Sequence, residues 1–154
     1  MTRGSPLIIA HRTCPRDAPE NSLTGIAMAR TLGADVVEID VRRTSDGVPV
    51  LLHDRWLLRT TWRPLRLRWV TARRVTRMGL RGGGTVPTLA EVLDALGPEL
   101  KVAIDVKDGG AGDAVISEVR NQQLEARTLF WSQHESAVRT AVTTAPELET
   151  SLLR

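Results

Sequence analysis

The chain has one cysteine, Cys14, in 154 residues. An internal disulfide is excluded, and a reducing compartment, the cytoplasm, is the default location. No apolar run approaches the ~20 residues of a membrane-spanning helix. The stretch Met1–Ile9 holds one arginine and a very short apolar run, too little for a secretory signal. There is no internal repeat and no low-complexity tract. No GxGxxG turn follows the first apolar run, which argues against a dinucleotide-binding sheet. Acids are also missing locally. Between Arg55 and Pro87 there are nine arginines, three tryptophans (Trp56, Trp62, Trp69) and no Asp or Glu. The remainder is ordinary: 42% apolar and 25% charged residues with a net charge of +3 describe one globular domain or part of a larger one.

Against this background the stretch Val36-Val37-Glu38-Ile39-Asp40-Val41 stands out. Its β-branched residues and alternation predict a strand, with Glu38 and Asp40 on one face because residues two apart point the same way. Buried carboxylates need a partner, a proton or a metal. A hard divalent cation such as Mg²⁺ or Ca²⁺ is one answer, and an edge strand with a wet polar face is the other.

The neighbouring segments alternate in type. Leu7–Ala10 reads as a strand running into His11-Arg12. Asn21 or Ser22 caps a helix that Gly33 stops. Ser45-Asp46-Gly47 is a turn before a third strand, Val48–Leu52, which ends in His53-Asp54. Thr88 and Glu91 form a capping box. Lys101–Val106 is a fourth strand, Thr128–Trp131 a fifth and Thr150–Leu153 the start of a sixth, with helices over 114–123 and 135–143 between them. This alternation predicts parallel βα units. The fold class is α/β, a TIM-type (β/α)₈ barrel with about six strands present and the closing strands missing; an open doubly wound sheet is the alternative. The domain expected is 1–154, partial, with an Arg/Trp-rich insertion at 55–87.

Polar residues gather at successive strand ends: His11-Arg12, Glu38 and Asp40, His53, then Asp105 and Lys107, which repeat the spacing of the acidic pair. That rim is where chemistry sits in βα barrels. Three carboxylates can hold a cation, two histidines are of the residue type suited to proton transfer near neutrality, and Arg12 and Lys107 can clamp a phosphoryl group. His134 reads as structural or surface, and Cys14 as a small buried filler.

These pieces resemble the glycerophosphodiester phosphodiesterase family. The matching stretches occur in family order: Ala10-His11-Arg12, Pro19-Glu20-Asn21-Ser22, Gly33 through Val41, Thr44 through Val50, His53-Asp54, Arg59-Thr60-Thr61, Val86 through Leu89 and Ile104-Asp105-Val106-Lys107. The resemblance implies a divalent metal, Mg²⁺ or Ca²⁺, on Glu38, Asp40 and Asp105. It implies His11 and His53 as the acid/base pair, with Arg12 and Lys107 on the phosphate. Glu20 would sit close by, and Asn21 would hold the loop and cap the helix. The implied reaction is hydrolysis of a small-molecule glycerophosphodiester to sn-glycerol 3-phosphate and an alcohol. Four departures stand out. Thr13 replaces the usual glycine, and Asp105 replaces the usual Glu. Trp62-Arg63-Pro64 replaces a Gly-containing turn, and the last two strands, including a late aromatic one, are missing.

Two other readings remain open: a relative that keeps the site without turnover, and an anion-binding or nucleic-acid-binding module on the Arg/Trp segment. For that segment a solvated surface with some packed tryptophan is preferred, its arginines pairing with acids such as Asp94, Glu99 or Asp113; no nucleic-acid partner is expected, and peripheral membrane contact is compatible. Oligomeric state and the alcohol of the substrate are not legible.

Overall fold

A computed structural model describes residues 6–154; the start of Met1–Ile9, and with it part of the signal-peptide reading, lies outside the described residues. The elements are β1 (Ile9–Ala10), α1 (Leu23–Thr31), β2 (Val36–Arg43), β3 (Pro49–Leu51), α2 (Leu58–Thr61), α3 (Ala72–Val75), α4 (Leu89–Ala95), β4 (Lys101–Val106), α5 (Gly112–Asn121), β5 (Thr128–Ser132), α6 (Glu135–Thr144) and β6 (Glu149–Leu152). Among the described residues no helix is long and apolar enough to cross a membrane.

Five strands lie parallel in the order β1-β2-β4-β5-β6. Chain order and spatial order run the same way without reversal. A doubly wound sheet reverses at a switch point, so that alternative is excluded and the winding is that of a βα barrel. Val37, Ile39 and Val41 of β2, Val102, Ile104 and Val106 of β4 and Phe130 of β5 share one face. They form a single core with Ile26 and Ala29 of α1, Val92 and Leu93 of α4, Val115, Ile116 and Val119 of α5 and Ala137 and Ala141 of α6. All four of these helices therefore cover one side of the sheet. The other face carries Glu38 and Asp40, then Ala103 and Asp105 at their register positions, then Leu129 and Trp131. The polar pair of β2 is thus on the inner face and almost fully buried, not on a wet edge.

One strand departs from expectation. β3 is antiparallel to β2, with Val41 opposite Leu51 and Arg43 opposite Pro49. It is the return arm of a hairpin and not a barrel strand, so six strands are present but five are parallel. The hairpin turns at Ser45-Asp46-Gly47, where Gly47 takes φ +89° and Thr44 Oγ1 donates to Asp46 Oδ1. After β3 the chain makes an excursion over residues 55–87. It packs on Val50 of β3 and Leu52 through an aliphatic core of its own: Leu57, Leu67, Val70, Val75, Leu80 and Val86. Its tryptophans are not packed into it; Trp56, Trp62 and Trp69 are 50%, 66% and 61% exposed. They carry guanidiniums instead, Arg66 over both Trp56 and Trp69, Arg68 over Trp69 and Arg81 over Trp62.

Helix starts follow local chemistry. Ser22 caps α1, its Oγ accepting from Gly25 N at 3.0 Å. Thr88 and Glu91 make the capping box of α4. Asn21 caps nothing, because its amide is committed elsewhere.

Candidate functional site

The loop after β1 is wound left-handed over three residues, with φ of 45°, 61° and 65° at Arg12, Thr13 and Cys14. A glycine at position 13 would adopt this without cost, whereas a β-branched residue there is strained. Thr13 is held by its surroundings: it is fully buried, and its Oγ1 accepts from Ser22 N at 3.2 Å. A side chain at Gly25 would collide with the Thr13 carbonyl and hydroxyl, so glycine is what lets α1 pack on this loop. The wound loop turns the Arg12 amide inward, where it donates to Glu38 Oε2 at 2.7 Å.

Glu38, Asp40 and Asp105 each offer an oxygen within 4.8 Å of the others. Asp40 and Asp105 are register partners, which puts their side chains beside each other on the inner face. Their exposures of 6%, 1% and 4% leave little water to screen them. Burial pushes Glu38 up to about 7, and the neighbouring charges of Asp40 and Asp105 push the same way, while the Arg12 amide and Lys107 pull against them. Asn21 clamps Asp40 from both sides, Nδ2 donating to Oδ2 and Oδ1 accepting from Asp40 N, each at 2.9 Å. Lys107 donates to Asp105 Oδ2 and lies 3.2 Å from Asp40 Oδ1. Burial lowers the Lys107 ammonium, but the two aspartates outweigh it and raise its pKa. Arg12 Nε lies 3.3 Å from Asp40 Oδ2.

Two cations do not satisfy six carboxylate oxygens. Asp105 Oδ1 is buried and accepts no hydrogen bond, and the equally buried Asp40 Oδ1 accepts none and meets only the Lys107 ammonium at 3.2 Å. Buried acceptors left open in this way are rare, and three convergent carboxylates are the donor set a hard divalent cation takes. The residues present therefore fit such an ion.

The histidines sit on either side. His11 lies at the end of β1 with its side chain 67% exposed and Nε2 3.9 Å from Glu38 Oε2. His53 follows β3, whose hairpin brings Leu52 N onto the Asp40 carbonyl at 3.0 Å. His53 Nδ1 is 2.7 Å from Asp54 Oδ1. Burial raises Asp54, but Arg59 and His53 hold its carboxyl below the usual range. Asp54 is therefore an acceptor, His53 Nδ1–H donates to it, and Nε2 is left free for other partners. Arg59 donates from Nε to Asp54 and from its two terminal nitrogens to Glu20 at 2.7 and 2.6 Å. Glu20 in turn is 3.9 Å from Arg12. His53 is thus tied to the acidic centre through Asp54, Arg59, Glu20 and Arg12.

Asp54, Arg59 and Arg42 were assigned no role from the sequence. Arg42 donates from Nε to the His53 carbonyl and from Nη1 to the Lys107 carbonyl, both at 2.8 Å, and so fixes the two loops that flank the centre. Spacing offers a signal only for Arg59, five residues after Asp54 at the start of a helical turn. Asn21 is a clamp on Asp40 and not a helix cap. His134 stands at the N-terminal boundary of α6 without a side-chain capping bond, and its Nε2 lies 3.3 Å from the Lys107 carbonyl. Cys14 is partly buried, and burial and Asp17 push its thiol up, away from reactivity. Among the described residues, Arg59 is the one arginine of the excursion within ion-pair distance of a carboxylate; pairs with Asp94, Glu99 or Asp113 are not formed.

A barrel-type sheet bearing a buried carboxylate cluster and rim histidines defines a class of βα enzymes, and comparison with known proteins narrows it. Residues 11–145 match the model of the glycerophosphoryl diester phosphodiesterase family. The chain belongs to that family. It is 31% identical over 160 residues to a glycerophosphodiester phosphodiesterase of Caldanaerobacter subterraneus, covering 96% of this chain and 66% of the relative. It is 35% identical to the probable glycerophosphodiester phosphodiesterase 2 of Mycobacterium tuberculosis, covering 92% of this chain and 54% of that protein. Among solved structures, a glycerophosphodiester phosphodiesterase of Agrobacterium tumefaciens superposes with TM-score 0.85 at 29% identity, over 94% of this chain and 65% of that one. An Oleispira antarctica phosphodiesterase in complex with its product sn-glycerol-3-phosphate superposes with TM-score 0.79 at 28% identity, over 94% and 64%. The chain therefore spans between about half and two thirds of the length of these relatives.

Proposed function

We propose that this chain carries the reaction centre of a metal-dependent glycerophosphodiester phosphodiesterase. The observation that carries the reading is the buried triad Glu38, Asp40 and Asp105, with two carboxylate oxygens that accept no hydrogen bond. Membership of the family and the likeness to a phosphodiesterase holding sn-glycerol-3-phosphate support the substrate class.

Glu38, Asp40 and Asp105 would hold a divalent cation such as Mg²⁺ or Ca²⁺, which when bound supplies positive charge to a phosphodiester. Glu38 must shed its proton to take part, since burial raises it to about 7. Asn21 fixes Asp40, and the Arg12 amide fixes Glu38. Arg12 and Lys107, already held at the carboxylates, are the cations placed to meet phosphoryl oxygens. One of His11 and His53 takes a proton from the attacking oxygen, which is water or the substrate's own glycerol hydroxyl. The other gives a proton to the departing alcohol oxygen. With water, the new oxygen bonds to phosphorus, the bond to the alcohol breaks, and the products are sn-glycerol 3-phosphate and that alcohol. The Asp54 contact to Nδ1 keeps His53 in one orientation with Nε2 free.

The test is release of sn-glycerol 3-phosphate from glycerophosphocholine and glycerophosphoglycerol by purified protein, with and without added Mg²⁺ or Ca²⁺. Release that requires the cation supports the reading. No release from a folded, cation-loaded sample would make this chain a relative without turnover of its own.

A further inference from the structure

A second feature opens beside the acidic centre. A cleft of about 230 Å³ lies between the excursion, the ends of β2 and the loop after β4. Its wall carries Arg42, Arg43, Arg55, Arg66, Arg68 and Lys107, with Asp108 as the one carboxylate and His134 at the far side. Two of these cations are already committed. Arg42 donates to the carbonyls of His53 and Lys107, and Lys107 to Asp105. Arg43, Arg55, Arg66 and Arg68 form no ion pair with any described residue and face a single acid. Arg66 is half-buried with its Nε closed off from solvent and without an acceptor. Its guanidinium carbon lies 5.3 Å from the ring centroid of Trp56 and 5.6 Å from that of Trp69, two cation–π contacts that favour one placement of the side chain. Burial and the nearby charge of Arg55 push Arg42 below the ordinary arginine value, and the charges of Asp108, Asp40 and Asp54 only partly offset them.

We infer that this cleft is an anion subsite for the alcohol half of the substrate. It rests on the phosphodiesterase reading and deepens it: the preferred glycerophosphodiester is one whose alcohol carries a further phosphoryl group. Lys107 belongs to both places, since its ammonium sits on the carboxylates and its chain lines the cleft. A diester held at the acidic centre therefore directs one of its two arms into the cleft. Guanidinium forks suit a phosphate monoester, which offers three acceptor oxygens and up to two charges. A cationic alcohol such as choline would meet four unpaired guanidiniums there and be disfavoured.

The test compares two ligands that differ by one group, glycerophosphoglycerol and the same diester with a terminal phosphate on its second glycerol. Binding is measured by calorimetry on the metal-free protein at about 0.15 M salt, where distant charges are screened. The phosphorylated diester is expected to bind tighter by about tenfold or more, the scale of one charge-assisted hydrogen bond. The double variant Arg55→Gln/Arg68→Gln removes two exposed cleft cations whose side chains make no internal hydrogen bond, and it should erase the preference. Arg73→Gln/Arg74→Gln removes the same charge from α3, outside the cleft, and should leave it intact. Equal binding of the two ligands overturns the subsite. So does an equal loss of preference in both double variants, which would reduce the effect to a general field. Turnover of both diesters without a preference overturns the subsite and leaves the phosphodiesterase reading. A preference in binding without turnover of either diester, with cation added, overturns the phosphodiesterase reading and leaves an anion site.

Discussion

Two regions of this molecule carry unbalanced charge, and they carry it in opposite ways. On the inner face of β2 and β4, three carboxylates converge within 4.8 Å and are at most 6% exposed. In the excursion over 55–87, nine arginines stand without an acid in the segment, and most of them are exposed. Buried like charges are costly, so the first arrangement persists only with partners, a proton or a ligand. Arg12, Lys107 and Asn21 are the partners, the raised Glu38 is the proton, and the oxygens of Asp40 and Asp105 that accept no hydrogen bond could take a cation. Exposed like charges cost little, because water screens them. They need no structural reason to persist, and what they add is a field and a set of donors at the rim of the site. In the function proposed above, the first region would set up the chemistry, and the second would select the substrate and draw it in.

Removing the two histidines proposed as proton carriers should have the largest effect on this division. His11→Ala and His53→Ala are each expected to lower kcat by on the order of a hundredfold to ten-thousandfold. Cation affinity should remain within a few-fold, since neither side chain belongs to the carboxylate cluster. Steady-state kinetics at saturating Mg²⁺ with a parallel metal titration read both. Near-normal turnover in either variant would remove that histidine from the reaction.

The next effect is on stability. The folded Glu38 carboxyl titrates near 7, against 4.5 for the unperturbed group. The folded state therefore holds this proton more tightly than the unfolded chain does. Its contribution is fully present below the unfolded value and is lost as pH rises toward 7. Without added cation, unfolding free energy should fall between about pH 4.5 and 7 by up to ~3 kcal/mol. Urea melts across this range check it. Glu38→Gln should flatten the profile, and a profile equally steep in that variant would assign the titration elsewhere.

Asp105→Glu sharpens the acidic side further, because it lengthens one arm of the triad by a methylene. Equal or tighter cation binding is expected by calorimetry. A marked loss would mean that the centre, with Lys107 on Asp105, is fitted to the shorter side chain.

The smallest effect concerns the excursion. Replacing Arg66, Arg68, Arg73 and Arg74 with Ser should lower kcat/KM several-fold while kcat is kept, and should flatten its salt dependence. An unchanged kcat/KM and salt slope would make these residues plain solvated surface.

Much of the inner face was legible because strand periodicity is local. The alternation in Val36–Val41 and the repeat of its spacing at Asp105 and Lys107 fix which side chains share a face, whatever the rest of the chain does. The Thr88–Glu91 capping box was legible for the same reason. The direction of β3 was misread. The connection from Arg43 to Pro49 is too short for a parallel crossover, which takes a dozen or more residues, and the Asp46-Gly47 turn marks a hairpin. The contacts of Asn21 with Asp40 and of Arg59 with Glu20 span 19 and 39 residues, and no periodicity encodes them. The tryptophans were misplaced because an aromatic in a basic segment packs as readily beneath a guanidinium as into a core. Thr13 shows where a local rule yields, since tertiary contacts hold it in a conformation that its side chain opposes.

The most direct measurement is a calorimetric titration of the metal-free protein with Mg²⁺ and with Ca²⁺ above and below pH 7, repeated on Asp40→Asn. One divalent ion should bind per chain, with proton release that grows as the pH falls below about 7, where Glu38 holds its proton. Asp40→Asn should lose at least about tenfold in affinity, the low end for a disturbed ligand shell. Binding of neither ion, or binding that ignores both the pH and the Asp40 variant, would contradict the assignment of Glu38, Asp40 and Asp105 as a cation site.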